Sequence, residues 1–353
     1  MRILVFGLTD NIGGIETMFM QYYKNLQSEK FCFDFVTIFD SIAFEDEIRK
    51  MGSKIYKIVS PKKNPIVYRK QITEILKNNQ YDCVYVNMLS AANIVPLQVA
   101  KKCGVKKIAA HSHNANTPKG LLRKILHSIN KRKIQRLANI KIACSKKAGD
   151  WLFGKKQGYY ILNNLVDQEK YSYKKELSDL YRTNKREYIV GHIGRFSEQK
   201  NQDFILDIAK MIETKDKSIK FILIGKGENL KQVQDRIKNE KIKNVFILKA
   251  LNDTSTCYSG FDLFILPSKF EGLPVVGIEA QINGVPSIFS STITRELKIS
   301  NSCNFIDLDE KEWVRAICKK PERTNAKLVN NSNLSIAKNQ RKLLEILEGN
   351  NGQ

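Results

Sequence analysis

Two glutamates, Glu271 and Glu279, stand eight positions apart in the run PSKFEGLPVVGIEAQINGVPSIFSS, Pro267 to Ser291. The first lies in a turn punctuated by Gly272 and Pro274, the second on the helix that these residues start. The rest of that helix is Val275, Val276, Ile278, Ala280 and Ile282. A helix so apolar is buried, and a buried carboxylate needs a partner. The alternative is a capped helix with one solvated glutamate. A second group is cationic. In GRFSEQKNQDF, Arg195 and Lys200 lie in a loop before a helix that starts near Asn201. There they would form a compact anion site, or else remain two surface cations. Near the start, Gly13-Gly14 in TDNIGGIE would let the backbone approach a phosphate, though the spacing is not GxGxxG and a simple flexible turn fits as well.

Two histidines, His111 and His113 in HSHN, follow a strand read as Lys107 to Ala110. If the strand continues, both point the same way. They can donate hydrogen bonds or pack, and with no third ligand near them in sequence a metal site is disfavoured. The triplet Asp307-Leu308-Asp309 lies just past a strand and reads as a turn and helix cap rather than a metal site.

The elements that must position these residues alternate. Strands are expected at Ile3–Leu8, Phe31–Phe39, Lys54–Val59, Cys83–Met88, Lys107–Ala110 and Ile140–Cys144. Helices are expected at Glu16–Leu26, Glu45–Met51, Val67–Asn78, Ala92–Lys102 and Leu121–Leu137. This rhythm predicts a parallel, doubly wound sheet with ligands beyond the carboxyl ends of its strands. A second set starts at Tyr188–Gly194 and continues through Phe221–Gly225, Val245–Leu251 and Asp262–Leu266. The polar stretch 168–187 between the sets reads as a linker.

The chain has 353 residues, enough for two cores, and a net charge of +23. Such charge implies an anionic partner: phosphorylated small molecules, an acidic membrane or nucleic acid. Nucleic acid is disfavoured by the lack of any helix-turn-helix, zinc or RNP signature. The seven cysteines are scattered without a CxxC pair, which fits a reduced compartment. No apolar run reaches the roughly 18 residues of a spanning helix, and MRILVFGLTDN reads as a strand rather than a signal peptide. From Lys119 to Lys156 the chain is strongly basic, and Leu121, Leu122, Ile125, Leu126, Ile129, Ile134 and Leu137 add an apolar stripe. That stripe either faces the core or, with Lys124, Lys131, Arg132 and Lys133 beside it, lies on an anionic membrane.

The paired glutamates in EGLPVVGIEA, together with Gly194, Arg195 and Lys200, resemble the retaining glycosyltransferases of family 4. NIGGIE, FDF around Asp34, HSHN and SSTITREL through Glu296 resemble the capsule and exopolysaccharide branch of that family. Asn164, where the family has glycine, and Ser291, where aspartate is common, depart from it. The resemblance implies the GT-B fold: two Rossmann-like domains facing a central cleft. It implies an acceptor domain over 1–167, a linker over 168–187, a donor domain over 188–333, and a helix over 334–353 that crosses back. It places Arg195 and Lys200 on the donor diphosphate, Glu279 on the ribose, and Glu271 and His111 by the sugar. The base would lie in the segment around Leu251, and Gly13 and Gly14 would belong to the donor site.

The implied activity is retaining transfer of a sugar from a uridine-linked nucleotide donor to a lipid-diphosphate-linked polysaccharide precursor. It would need no metal or other cofactor, and would take place on the cytoplasmic face of the membrane. No side chain stands out as a nucleophile, which suits a front-face mechanism. A sugar-nucleotide binding protein without transfer, or a nucleic-acid-binding protein, is the rival reading.

Overall fold

The computed structural model describes residues 1–28, 30–114, 120–155, 158–163, 166–251, 253–323 and 336–349. The chain divides into two compact units, one of residues 1–165 with 333–353 and one of residues 166–332.

The first unit holds seven strands: β1 (Arg2–Phe6), β2 (Cys32–Thr37), β3 (Ile55–Lys57), β4 (Cys83–Met88), β5 (Lys107–Ser112), β6 (Ile140–Ala143) and β7 (Tyr160–Ile161). Between them run α1 (Gly14–Leu26), α2 (Glu45–Lys50), α3 (Pro65–Asn78), α4 (Val95–Lys102), α5 (Leu121–Leu137) and α6 (Lys146–Leu152). The strand order is β3-β2-β1-β4-β5-β6-β7, and all pairings are parallel. Helices cover both faces of such a sheet, so its central strands are apolar throughout, and all six residues of β4 are buried. On one face Phe19 and Tyr23 of α1 meet Phe33 and Phe35 of β2 edge to face, with centroids 5.2–6.2 Å apart. The start of α3 is set by Asn64, whose side chain accepts from the amides of Ile66 and Val67 while Pro65 opens the helix.

The second unit holds β8 (Tyr188–Ile193), β9 (Ile219–Gly225), β10 (Val245–Lys249), β11 (Leu263–Leu266), β12 (Ser287–Ser290) and β13 (Cys303–Ile306). Its helices are α7 (Gln202–Glu213), α8 (Leu230–Asn239), α9 (Val275–Asn283) and α10 (Glu310–Cys318). The order β10-β9-β8-β11-β12-β13 is again parallel throughout. The last helix, α11 (Ile336–Glu348), joins the first unit's core through Leu343, Ile346 and Leu347. Lys107 on β5 donates to its carbonyls at Leu347 and Glu348, meeting the negative end of the helix dipole.

Two expectations need correction and a third is settled. The stretch 168–187 is not a free linker but a strap packed on the second unit. Lys174 N donates to Ser259 Oγ (3.0 Å), Tyr181 stacks on Phe261 (centroids 5.3 Å), and Arg182 pairs with Asp262. Its polar composition concealed the aromatic anchors. Second, β5 runs on to Ser112, so His111 lies within the strand, paired with Asn87 and Ile142. Third, of the two orientations left open for the apolar stripe of α5, most of it takes the outward one. Leu121, Leu122, Ile125, Leu126 and Ile129 are exposed, whereas His127, Asn130 and Ile134 are buried. His127 Nδ1 accepts from Ala91 N (3.0 Å) and Asn130 Nδ2 donates to Ala91 O (2.9 Å), so polar contacts orient this helix.

Candidate functional site

Both sheets reverse their strand order once, between β1 and β4 in the first unit and between β8 and β11 in the second. In open parallel sheets ligands bind outside the carboxyl ends of the strands at such a switch point. The described site residues are therefore taken unit by unit.

In the second unit the loop after β8 carries Arg195 and Lys200, and the loop after β11 carries Glu271. The loops are laced together. Lys269 N donates to Gln199 O (2.8 Å), Asn201 Nδ2 to Pro267 O (3.2 Å), and Gln199 Nε2 to Phe270 O (3.1 Å) and Glu271 Oε2 (3.1 Å). Behind them, the buried His192 accepts from Gln202 Nε2 at its Nε2 (3.2 Å), and its Nδ1–H donates to Ile265 O (3.0 Å). Desolvation lowers the pKa of His192 to about 4, so the ring is neutral and this tautomer is fixed. Gln202 Nε2 also donates to Arg195 O (3.0 Å), shaping the cationic loop. Gly225, at φ +159°, is required here, because a Cβ would sit 2.0 Å from Gly194 O.

Lys200 Nζ lies 2.7 Å from Glu271 Oε1, with side chains only 15% and 9% exposed. Oε1 accepts no hydrogen bond of good geometry among the described residues, so the link is an ion pair by distance. Arg195 is exposed and pairs with Glu228 (2.9 Å). The cations thus stand at the switch point with partners that an incoming anion can replace. Helix α9 starts at Pro274 with neither a side-chain cap nor an acidic residue in its first turn, which leaves its positive end uncompensated. On the same helix Glu279 is 4% exposed. Its carboxylate accepts from Tyr258 Oη (2.5 Å) and from the Tyr171 hydroxyl. Desolvation raises its pKa and the two tyrosines oppose that rise. Leu251, expected near the base, is exposed just past β10.

In the first unit Gly7, at φ +91°, lets β1 pass β4, since a Cβ would meet Asn87 O at 2.2 Å. Asn87 Nδ2 donates to Phe6 O (3.1 Å), so its Oδ1 accepts from His113 Nε2 (2.8 Å). His111 is fully buried, with Nδ1 2.7 Å from Tyr85 Oη and Nε2 without a hydrogen-bond partner among the described residues. The two imidazoles are 3.9 Å apart between centroids, and His113, half-buried, is the outer one. Burial lowers the pKa of both, that of His113 to about 3. Gly13 and Gly14 open α1, but Glu16 lies against Gly13 and accepts from Thr9 N and Oγ1 (both 2.9 Å). The positive end of α1 thus has an anion from its own chain.

Asp309 caps α10 by accepting from Glu312 N (2.9 Å), and Asp307 accepts from the Ser291 hydroxyl. Among the described residues, no three His, Cys, Asp or Glu side chains gather into a group that could hold a metal ion. Lys124, Arg132 and Lys133 are exposed on α5 and Lys131 is half-buried. Asn164 lies outside the described residues. Sequence reasoning missed His192, Gln199 and Gln202, which shape the cationic loop, and Tyr85 and Asn87, which hold the histidines. It also missed Tyr171 and Tyr258. Apart from Gln202, whose partners lie within ten residues, each works through a partner distant in sequence, so no local spacing announces it.

Residues 174–299 match the family model described as Glycosyl transferases group 1. The chain is 28% identical over 301 residues, 81% of its own length and 78% of the relative's, to the putative glycosyltransferase EpsF of Bacillus subtilis (strain 168). It is 28% identical over 192 residues to the capsular polysaccharide biosynthesis glycosyltransferase CapM of Staphylococcus aureus, covering 53% of this chain and 46% of CapM. Among solved structures, Anabaena Alr3699/HepE in complex with UDP-glucose superposes with a TM-score of 0.82 at 17% identity, over 99% of both chains. Together with two parallel-sheet units of Rossmann-like order, these findings make the chain a glycosyltransferase of the GT-B fold.

Proposed function

We propose that this enzyme transfers a sugar, with retention and without a metal, from a UDP-sugar to a lipid-diphosphate-linked precursor in polysaccharide assembly. The carrying observation is the switch point of the second unit, where the loop after β8 brings Arg195 and Lys200, Lys200 meets Glu271 just ahead of the uncapped start of α9, and α9 carries the buried Glu279. Cleaving a sugar from a nucleoside diphosphate develops negative charge on the diphosphate. Two fixed cations and a helix N-terminus stabilise that charge where a metal would otherwise be needed. Glu279 supplies a carboxylate acceptor for the ribose hydroxyls. Glu271 is held by Lys200 and Gln199 and can accept from the sugar once the diphosphate takes Lys200. In the first unit, a neutral histidine of the His111–His113 pair donates to the sugar. HepE binds UDP-glucose in its solved complex, and CapM is named for capsular polysaccharide biosynthesis. Both support the reading.

The lipid-linked acceptor is supported by α5. Five apolar side chains stand in solvent beside Lys124, Arg132 and Lys133. An exposed apolar stripe edged with cations suits the interface of an anionic bilayer. Among the described residues no helix is long and apolar enough to cross a membrane. The test is nucleotide release from a panel of UDP- and GDP-sugars, with and without a polyprenyl-diphosphate glycan and a chelator. Acceptor-dependent UDP release that survives chelation is expected. GDP release, or activity abolished by the chelator and restored by Mn²⁺, would overturn the reading. For the membrane, Lys124, Lys131, Arg132 and Lys133 replaced by glutamate should abolish co-sedimentation with anionic vesicles at low salt, each cation contributing about 1 kcal/mol.

A further inference from the structure

Burying a carboxylate costs free energy unless its oxygens are satisfied, and Glu279 sits at 4% exposure as the one ionisable residue of α9. Two tyrosine hydroxyls satisfy part of it. Tyr258, fully buried, donates to Oε2 at 2.5 Å, and Tyr171, 6% exposed, donates as well. Tyr171 belongs to the strap and lies outside the matched segment 174–299. Both tyrosines are themselves held. Arg323 Nη2 donates to Tyr258 O (3.0 Å), and Asn283 Nδ2 donates to Tyr171 O (3.0 Å). The two rings also pack together, centroids 5.9 Å apart. The Tyr171 hydroxyl also meets Thr254, which helps to fix its direction toward Glu279.

An ionised carboxylate offers about four acceptor positions. Two hydroxyl donors fill about half of them and fix the plane of the group. The remainder suits a pair of neighbouring hydroxyls, as on a ribose. We propose that Tyr171 and Tyr258 are positioning residues that hold the Glu279 carboxylate in the one orientation able to accept from both ribose hydroxyls of the nucleotide. This rests on the reading of Glu279 as the ribose acceptor. The same contacts have an electrostatic consequence. Burial raises the pKa of Glu279, while Tyr258, Tyr171 and the nearby Lys170 lower it and Asp253 raises it. Cys257, also near, is kept as a thiol by burial. Removing the hydroxyls therefore makes Glu279 protonate at higher pH, and a protonated carboxyl loses acceptor capacity.

The experiment is calorimetric titration of the full chain with UDP and with its 2′,3′-dideoxy analogue, from pH 5 to 8. The proteins are wild type, Tyr171→Phe, Tyr258→Phe, the double variant and Glu279→Ala. Each tyrosine variant should bind UDP more weakly at pH 7, the double variant by roughly tenfold. The acid limb of the UDP affinity profile should move to higher pH, and affinity for the dideoxy analogue should not change. Equal loss for both ligands, or an unmoved acid limb, would show a merely structural role and overturn the proposal. If the double variant does not fold, Tyr171→Phe alone decides by the same two readouts. If the tyrosine variants bind as wild type while Glu279→Ala loses UDP, this inference fails and the ribose reading stands. If Glu279→Ala binds UDP as wild type does, both fall.

Discussion

The carboxyl ends of the two sheets share a topology and differ in charge. In the first unit the groups at the switch point and on the adjoining strand are neutral: Asn87, Tyr85 and two imidazoles that burial keeps unprotonated. In the second they are ionic: Lys200 against Glu271, Arg195 against Glu228, and the buried Glu279. The helix starts differ likewise. Glu16 compensates α1, whereas α9 has no acidic residue in its first turn. A doubly wound sheet fixes where a ligand sits, and the loops fix what charge that ligand carries. On the proposed reading, the ionic end of the second unit takes the phosphate-bearing part of the donor and the neutral end of the first takes sugar hydroxyls.

Breaking the ionic end should have the largest effect. Lys200→Ala removes the half-buried cation and leaves Glu271 with Gln199 alone among the described residues, and kcat/KM should fall by about 2–4 kcal/mol in transition-state terms, roughly 30- to 1000-fold. A loss of less than threefold in steady-state kinetics would remove the diphosphate role. The two glutamates sharpen the contrast within that unit. Glu279→Ala should weaken UDP itself by about 1.5–3 kcal/mol, while Glu271→Ala should weaken the intact donor and leave UDP affinity near wild type. Calorimetry with both ligands separates these outcomes.

At the neutral end the effect should be smaller and of another kind. His113→Ala should lower kcat/KM by about 1–2 kcal/mol, without changing UDP affinity, because a neutral ring that meets the sugar does not touch the diphosphate. Loss of UDP binding in this variant would blur the division between the two ends. Smallest is a pH effect on stability. All four histidines have folded pKa values below the ordinary 6.5, with His127 and His192 at about 4. The folded state therefore favours the neutral ring. That contribution is fully present above about pH 6.5 and is lost as pH falls towards 4, where the unfolded chain binds more protons. Urea midpoints at pH 7 and pH 5 should show the drop, and His127→Gln should reduce it by on the order of 1 kcal/mol.

The sequence was most legible where one residue type does its work locally. Runs such as Cys83–Met88 announced their strands to the residue, because a parallel sheet buries both faces. The loop cations and the paired glutamates could be found from turn and helix signals alone. Helix α5 was legible in extent but not in facing. Its apolar stripe left two facings open, and two polar anchors on the backbone at Ala91 accompany the outward one. The strap over 168–187 misled for the mirror reason: a polar composition hid Tyr171 and Tyr181, whose partners lie about 80 residues or more away.

By itself the sequence determined the two α/β sets, the placement of cations and carboxylates after particular strands, and the excess of positive charge. These depend on periodicity, on glycine and proline, and on residue counts, all of which are local. Only the tertiary structure decided which groups meet. It paired Lys200 with Glu271, set Tyr171 and Tyr258 on Glu279, put His111 beneath His113, and left α5 with its apolar side in solvent. Each outcome depends on contacts between distant segments, whose free energies are settled by packing and desolvation once the sheets have formed.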